Sequence, residues 1–147
     1  MHDYEISTDP SRLDIALIHN WLSQSSYWAK GIPCAVVERS IAHSLNFAIH
    51  HKTDGQVAFA RVITDYATFA NLVDVFVLPE HRGKGYAKAL VAAVVAHPRL
   101  QGLRRFRLDT TDAHGLYTQF GFRSPKNPQN VMERWFPRIY DGEDTPG

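Results

Sequence analysis

Asp74-Val75-Phe76-Val77-Leu78-Pro79-Glu80-His81-Arg82-Gly83-Lys84-Gly85-Tyr86-Ala87-Lys88-Ala89-Leu90 carries the chain from an apolar strand, through a basic glycine turn, into a helix. The run from Leu72 to Leu78 reads as a buried central strand. After the turn, Tyr86, Leu90, Val91, Val94 and Val95 keep helical spacing, and His97-Pro98 ends the helix. A strand-turn-helix of this kind leaves unpaired amides at the positive end of a helix dipole. Such a nest binds anions, and pyrophosphate fits it. Gly83 and Gly85 allow a positive φ and a close approach of ligand to backbone. Arg82, Lys84 and Lys88 add full positive charges; the competing reading is a solvated basic surface turn. Neither G-x-x-x-x-G-K-[ST] nor G-x-G-x-x-G is present.

Downstream, Leu116-Tyr117-Thr118-Gln119-Phe120-Gly121-Phe122 forms a second motif, with a strand-length run Phe106 to Asp109 between the two. Arg82-x-x-Gly85-x-Ala87 resembles motif A of the GNAT superfamily of acetyl-CoA-dependent N-acetyltransferases, and the second motif is similar to that family's LYxxxGF signature. The resemblance covers Leu45 to Phe122. It implies an α/β fold: a mixed, mostly antiparallel sheet flanked by helices and splayed at the acetyl-CoA site, between the strands that carry the two motifs.

Composition suits a small enzyme. At 147 residues, 44% of them hydrophobic, the chain is expected to form one domain over 1–140 with a frayed tail over 141–147. No apolar run approaches the ~20 residues of a membrane span, and the N-terminus lacks the order of a signal peptide, so a cytoplasmic protein without a membrane partner is expected. Cys34 is the only cysteine, which excludes an intrachain disulfide and a cysteine-based metal cluster. A formal charge of +1 argues against a nucleic-acid partner, the basic clusters Arg82 to Lys88 and Arg104-Arg105-Arg107 being local. His50-His51 and the other histidines lack a spacing such as H-E-x-x-H, so no metal is expected.

The remaining elements follow from pattern. Tyr4 to Ser7 reads as a first strand, and Asp9-Pro10 as the start of a helix with Leu13, Ala16, Leu17, Asn20 and Trp21 on one stripe. Pro33 opens a second helix, with Val36, Val37 and Ile41 inward. Leu45 to His50 and Gln56 to Thr64 read as paired strands joined at Asp54-Gly55. After the motif A helix come a strand over Arg104 to Asp109, a short helix over Ala113 to Phe120 and a last strand over Val131 to Phe136.

Acetyl transfer needs a thioester held in line with an amine, a polarised carbonyl, a proton acceptor for the amine and a proton donor for the thiolate. The resemblance places Phe76, Val77 and Leu78 beside the pantetheine arm, with Val77 making the main-chain contact, and Arg82, Gly83, Lys84, Gly85, Tyr86, Ala87 and Lys88 around the pyrophosphate. It makes Tyr117 the general acid, against the alternative of a core aromatic beside Leu116, Phe120 and Phe122. The base is open. Asp74, a carboxylate in an apolar strand, serves as base or as a paired structural acid. His114 serves as base, or is a polar residue in the first turn of a short helix capped by Asp112.

Specificity is expected in two aromatic segments, Ser26 to Pro33 with Tyr27 and Trp28, and Thr64 to Ala70 with Asp65, Tyr66 and Phe69, together with Asp112. These segments resemble a subgroup of small bacterial GNAT proteins with mostly unassigned substrates. Aromatic faces beside Asp65 and Asp74 suit a small cationic amine, unless Tyr27, Trp28 and Phe69 only close the core. The alternatives are an acetyltransferase acting on a protein or tRNA amine, and a non-catalytic acyl-CoA-binding module. A homodimer paired through sheet edges is the expected assembly.

Overall fold

The apolar residues between 45 and 64 build a hairpin whose turn, Lys52-Thr53-Asp54, closes on Gly55 at φ 77°. That left-handed conformation is open to glycine at little steric expense. The computed structural model describes residues 3–141. Five strands, β1 (Tyr4–Ser7), β2 (Leu45–His51), β3 (Gly55–Thr64), β4 (Phe69–Val77) and β5 (Arg105–Leu108), lie in the order β1-β2-β3-β4-β5. The first four are antiparallel neighbours, and β5 joins β4 in parallel. The sheet is therefore mixed and mostly antiparallel, as expected.

Helices cover the sheet as two packed clusters. In α3 (Tyr86–Ala96), Tyr86, Leu90, Val91 and Val94 are buried with Phe47, Ile49, Val57, Val62 and Leu72. Their spacing puts them on the stripe read from sequence, and His97 leaves the helix in an extended conformation ahead of Pro98. In the second cluster, Ile18 and Leu22 of α1 (Ile15–Gln24) meet Val37 and Ile41 of α2 (Cys34–Ala42), with Phe59 and Phe76 from the sheet. Phe59 alternates with Ala58 and Ala60, so its ring faces the other side of β3. The short α4 (His114–Thr118) adds Tyr117 to the α3 side.

Several expectations are corrected. Asp9-Pro10 opens only a 3-10 turn over Pro10–Arg12; Leu13 is extended, and α1 starts under Asp14, whose carboxylate accepts from the Leu17 amide. The stripe consequently shifts: Ala16 and Asn20 are exposed while Ile18 and Leu22 are buried. Leu78 stands outside β4, which begins three residues earlier than read, at Phe69. The last strand is absent. Among the described residues, 131–136 pairs with no strand, and Val131, Met132 and Trp135 are exposed, Met132 at 95%. Strand propensity there finds no partner, and propensity without a ladder does not hold a strand. Of the expected frayed tail, Asp141 ends a 3-10 turn, and 142–147 lie outside the described residues.

Candidate active site

Pairing between β4 and β5 runs from Phe69↔Arg105 to Leu72↔Leu108 and stops there, while β4 continues to Val77. The strands therefore part, and a cavity of about 1000 Å³ opens between them. Its walls are β4 from Leu72 to Val77, the turn and helix start from His81 to Lys88, the chain from Leu108 to Tyr117, and Trp21, Ser25, Tyr27 and Trp28 from the other face.

The basic turn is shaped by its glycines. Gly83 has φ 78° and Gly85 φ 81°, and nothing lies within 4 Å of a Cβ built on either, so the backbone angle rather than crowding selects glycine. Gly85 caps α3 without a side-chain bond. The first intrahelical bond is Ala89 N–H to Gly85 C=O at 3.0 Å, leaving the earlier amides of the helix without an intrahelical acceptor. Arg82 donates from Nε to the Val77 carbonyl at 3.1 Å and so ties the turn to the end of β4. Tyr86 turns its ring inward against Tyr4, 4.8 Å between centroids. Ala87 and Lys88 line the cavity, whereas the side chains of Leu78 and Lys84 fall outside its wall. Leu78 instead packs between the two core clusters.

Tyr117 is 8% exposed and lines the cavity from α4. Its ring packs edge-on to Phe122 at 6.1 Å, so the ring belongs to the core while the residue also borders the cavity. Burial pushes its pKa above the ordinary 10, and the charge of Asp112 adds to the rise. Asp112 lines the cavity but does not cap α4, whose N-cap is Ala113; the amide of Ala113 donates to Thr110 Oγ1 instead.

Asp74 sits at a β-bulge. Between Phe59↔Phe76 and Arg61↔Val73, β3 advances two residues and β4 three, and Asp74 takes φ 56°. The bulge breaks the simple alternation read for the strand. Both carboxylate oxygens are engaged: Arg61 Nε donates to Oδ2 at 2.8 Å, and Trp28 Nε1 donates to Oδ1 at 2.8 Å. Arg61 also reaches Ser44 Oγ at 3.0 Å. Trp28 leads on to an aromatic corner, in which Trp21 lies flat on Phe76 with centroids 4.4 Å apart and Tyr27 meets Trp28 edge-on at 5.0 Å. Across the mouth, the hydroxyls of Tyr27 and Thr111 are 3.2 Å apart.

The structure separates the other expected residues from this cavity. Asp65 is consumed in closing its own turn, accepting from the amides of Ala67 and Thr68 and from the Thr68 hydroxyl. Those bonds, the Thr68 hydroxyl foremost, hold its pKa far below the usual carboxylate range. Tyr66 takes φ 62° and stacks under Arg99, 3.7 Å from guanidinium carbon to ring centroid. Phe69 begins β4 at the end where β5 still pairs. His114 is exposed and not part of the wall. Conversely, Trp21, Arg61 and Thr111 were not read from sequence as site residues. Trp21 lay on an amphipathic stripe; Arg61 and Thr111 had no local signal, because their roles come from partners 13 and 84 residues away.

Comparison with known proteins is consistent with this geometry. Residues 42–124 match the family described as acetyltransferase (GNAT) domain. A candidate acetyltransferase of Gibberella zeae is 32% identical over 136 residues, covering 78% of this chain and 76% of that one. A crystal structure of a candidate GNAT-family acetyltransferase from Xanthomonas campestris pv. campestris is 63% identical, with TM-score 0.90 and coverage of 95% of this chain and 98% of that one. A candidate acetyltransferase from Deinococcus radiodurans R1 shares the fold at 16% identity, with TM-score 0.69 and coverage of 99% and 95%.

Proposed function

The chain belongs to the GNAT acetyltransferase family and is an acyltransferase with acetyl-CoA as cosubstrate; from that premise we propose that it acetylates a primary amine of a small cationic metabolite, by direct attack in a ternary complex with Tyr117 as general acid. The observation that carries this reading is the position of Tyr117: a buried tyrosine on the cavity wall, across the parted strands from the free stretch of β4. The pantetheine arm adds along Val73 to Val77, where β4 has no β5 neighbour. Val77 makes the main-chain contact, and Arg82 steadies that end of the strand. The pyrophosphate takes the amides around Gly83 to Lys88, with Arg82 and Lys88 as counter-charges.

In the reaction the amine nitrogen attacks the thioester carbonyl carbon, the C–S bond breaks, the departing thiolate takes the Tyr117 proton, and the proton that the acetylated nitrogen then releases returns through water to the tyrosinate. An ordinary tyrosine and an alkyl thiol differ in acidity by only about 1 to 2 units; the upward shift of Tyr117 widens that gap and keeps the hydroxyl protonated until the sulfur leaves. Asp74, held by Arg61 and Trp28, serves better to position Trp28 than to take a proton. The ammonium proton of the acceptor therefore leaves to water in the open cavity. Recognition of the amine falls to the ring faces of Trp21, Tyr27 and Trp28 and to the exposed carboxylates of Asp109 and Asp112 on the wall. A cytoplasmic homodimer completes the proposal: Cys34 is a free thiol, β5 is an edge strand of the sheet, and Met132 and Trp135 are exposed.

Calorimetric titration with acetyl-CoA and with dephospho-CoA, followed by thiol release over a panel of amines, tests the reading. One-to-one acetyl-CoA binding with turnover on a cationic amine supports it. Absence of binding removes the cofactor assignment and the enzyme mechanism with it.

A further inference from the structure

His51, Asp54 and His81 come from three places: the end of β2, the hairpin turn, and the 3-10 turn that leads into the basic loop. The fold brings one ligand atom of each within 4.8 Å of the others. His81 Nε2 is 3.0 Å from Asp54 Oδ2, and His51 Nδ1 is 3.9 Å from the same oxygen. We propose that this cluster is a binding site for a divalent transition-metal ion, zinc by preference, held by two imidazoles and one carboxylate behind the phosphate loop.

The donor set suits zinc, which takes imidazole nitrogen and carboxylate oxygen together. Tetrahedral donors at ~2.0 Å from the metal lie on the order of 3.3 Å from one another. The two distances of 3.0 and 3.9 Å straddle that value, so small side-chain rotations close the set. Protonation also fits. The amides of Thr53 and Asp54 point at His51 Nδ1 from 3.2 and 3.3 Å, so that nitrogen carries a lone pair, the form a metal requires. These contacts are long, and a metal replaces them at little loss. His81 is 5% exposed and flanked by the rings of His51 and Tyr86, which gives the site a shielded floor. Asp54 is open to solvent, leaving an entry path and room for a water as fourth ligand.

The second nitrogen of His81 links the cluster to the basic loop. Lys84 Nζ lies 3.4 Å from His81 Nδ1, and an ammonium only donates, so Nδ1 is the acceptor and Nε2–H faces Asp54. A metal on Nε2 obliges the ring to carry its proton on Nδ1, with the exchange made through solvent. Two donors then meet, and Lys84 turns away from His81. Metal binding at this site thus frees a lysine of the phosphate loop. His51 and Asp54 meet within one turn, three residues apart, but no sequence spacing announces His81, which the register of β3 and β4 brings to them.

The test is titration of the untagged, chelator-treated full chain with zinc chloride by calorimetry. One-to-one binding is expected, weakened about tenfold or more in Asp54→Ala and in His51→Ala. Asp54→Asn keeps the turn and an acceptor for His81 while removing the charged ligand, so it separates loss of the site from loss of the fold; the same weakening is expected. His43→Ala, at an exposed position after α2, leaves binding unchanged. Histidine ¹⁵N spectra of the zinc-bound chain are expected to show His81 metallated at Nε2. Absence of one-to-one binding in the native chain, or binding retained in both Asp54→Ala and His51→Ala, overturns the proposal. Neither outcome depends on acetyl-CoA.

Discussion

Trp28 and Asp74, 46 residues apart, are joined by a 2.8 Å hydrogen bond from the indole N–H to the carboxylate, which ties the loop after α1 to the bulge of β4. That bond holds an aromatic side chain over the cavity mouth. Trp28→Ala is expected to raise KM for the amine several-fold while leaving KM for acetyl-CoA within a factor of about two. Trp28→Phe, which keeps the ring and loses the donor, falls between. Steady-state kinetics with each substrate varied in turn checks this, and equal effects on both KM values would contradict a role on the acceptor side.

The Arg61–Asp74 pair is largely buried, with side chains 15% and 9% exposed. Asp74→Ala leaves the Arg61 guanidinium without its counter-charge and is expected to destabilise the fold by about 3–5 kcal/mol. Asp74→Asn keeps one acceptor oxygen, enough for Arg61 or Trp28 but not both, and a side chain tolerant of φ 56°, so its loss is smaller than that of Asp74→Ala. Urea denaturation of both variants measures the difference.

Tyr117→Phe removes the proton donor and keeps the ring that packs on Phe122. Turnover is expected to fall by on the order of 10² to 10⁴, with acetyl-CoA affinity preserved. Unchanged turnover would leave Tyr117 as a core residue only.

Gly83→Ala and Gly85→Ala force an L side chain into the left-handed region. Each is expected to cost roughly 1–2 kcal/mol of stability or to displace the turn. A displaced turn moves the amides, so acetyl-CoA binding weakens while binding of the amine is less affected. Calorimetry on each variant reads the cofactor side directly.

His50 makes the fold sensitive to acid. Burial lowers its pKa from the ordinary 6.5, the charge of Arg12 lowers it further, and Glu5 opposes both. Its Nε2 is buried with no partner among the described residues. With the folded pKa depressed, the unfolded chain binds the proton more readily. The contribution of neutral His50 is therefore present above pH 6.5 and lost as pH falls through the folded value. His50→Leu is expected to flatten the stability profile below pH 6.5, measured by thermal unfolding over a pH series.

The motif A strand, its glycine turn and α3 were legible because each is local. Period and glycine chemistry act over a few residues, and Tyr86, Leu90, Val91 and Val94 occupy the face their spacing assigns. The hairpin at Asp54-Gly55 belongs to the same class. The segment 131–136 shows the limit of such reading: Val131 and Trp135 have strand propensity, but no neighbour is there to pair with among the described residues. Asp65 and Asp74 were equivalent in sequence, each an acid beside aromatics. One is spent on the amides of its own turn and the other on Arg61 and Trp28.

Local chemistry in the chain was thus enough to mark the hairpin, the motif A strand, its glycine turn and the helix that follows, and the family resemblance supplied the sheet arrangement. Tertiary contact alone decided which acids border the cavity, that Trp21 and Thr111 join it, and that His51, Asp54 and His81 meet. The reason is physical. A helix period or a left-handed turn is set by neighbours along the chain, whereas the side chain opposite a carboxylate is set by strand register and bulges. One such bulge, at Asp74, brings together residues that no spacing in the sequence connects.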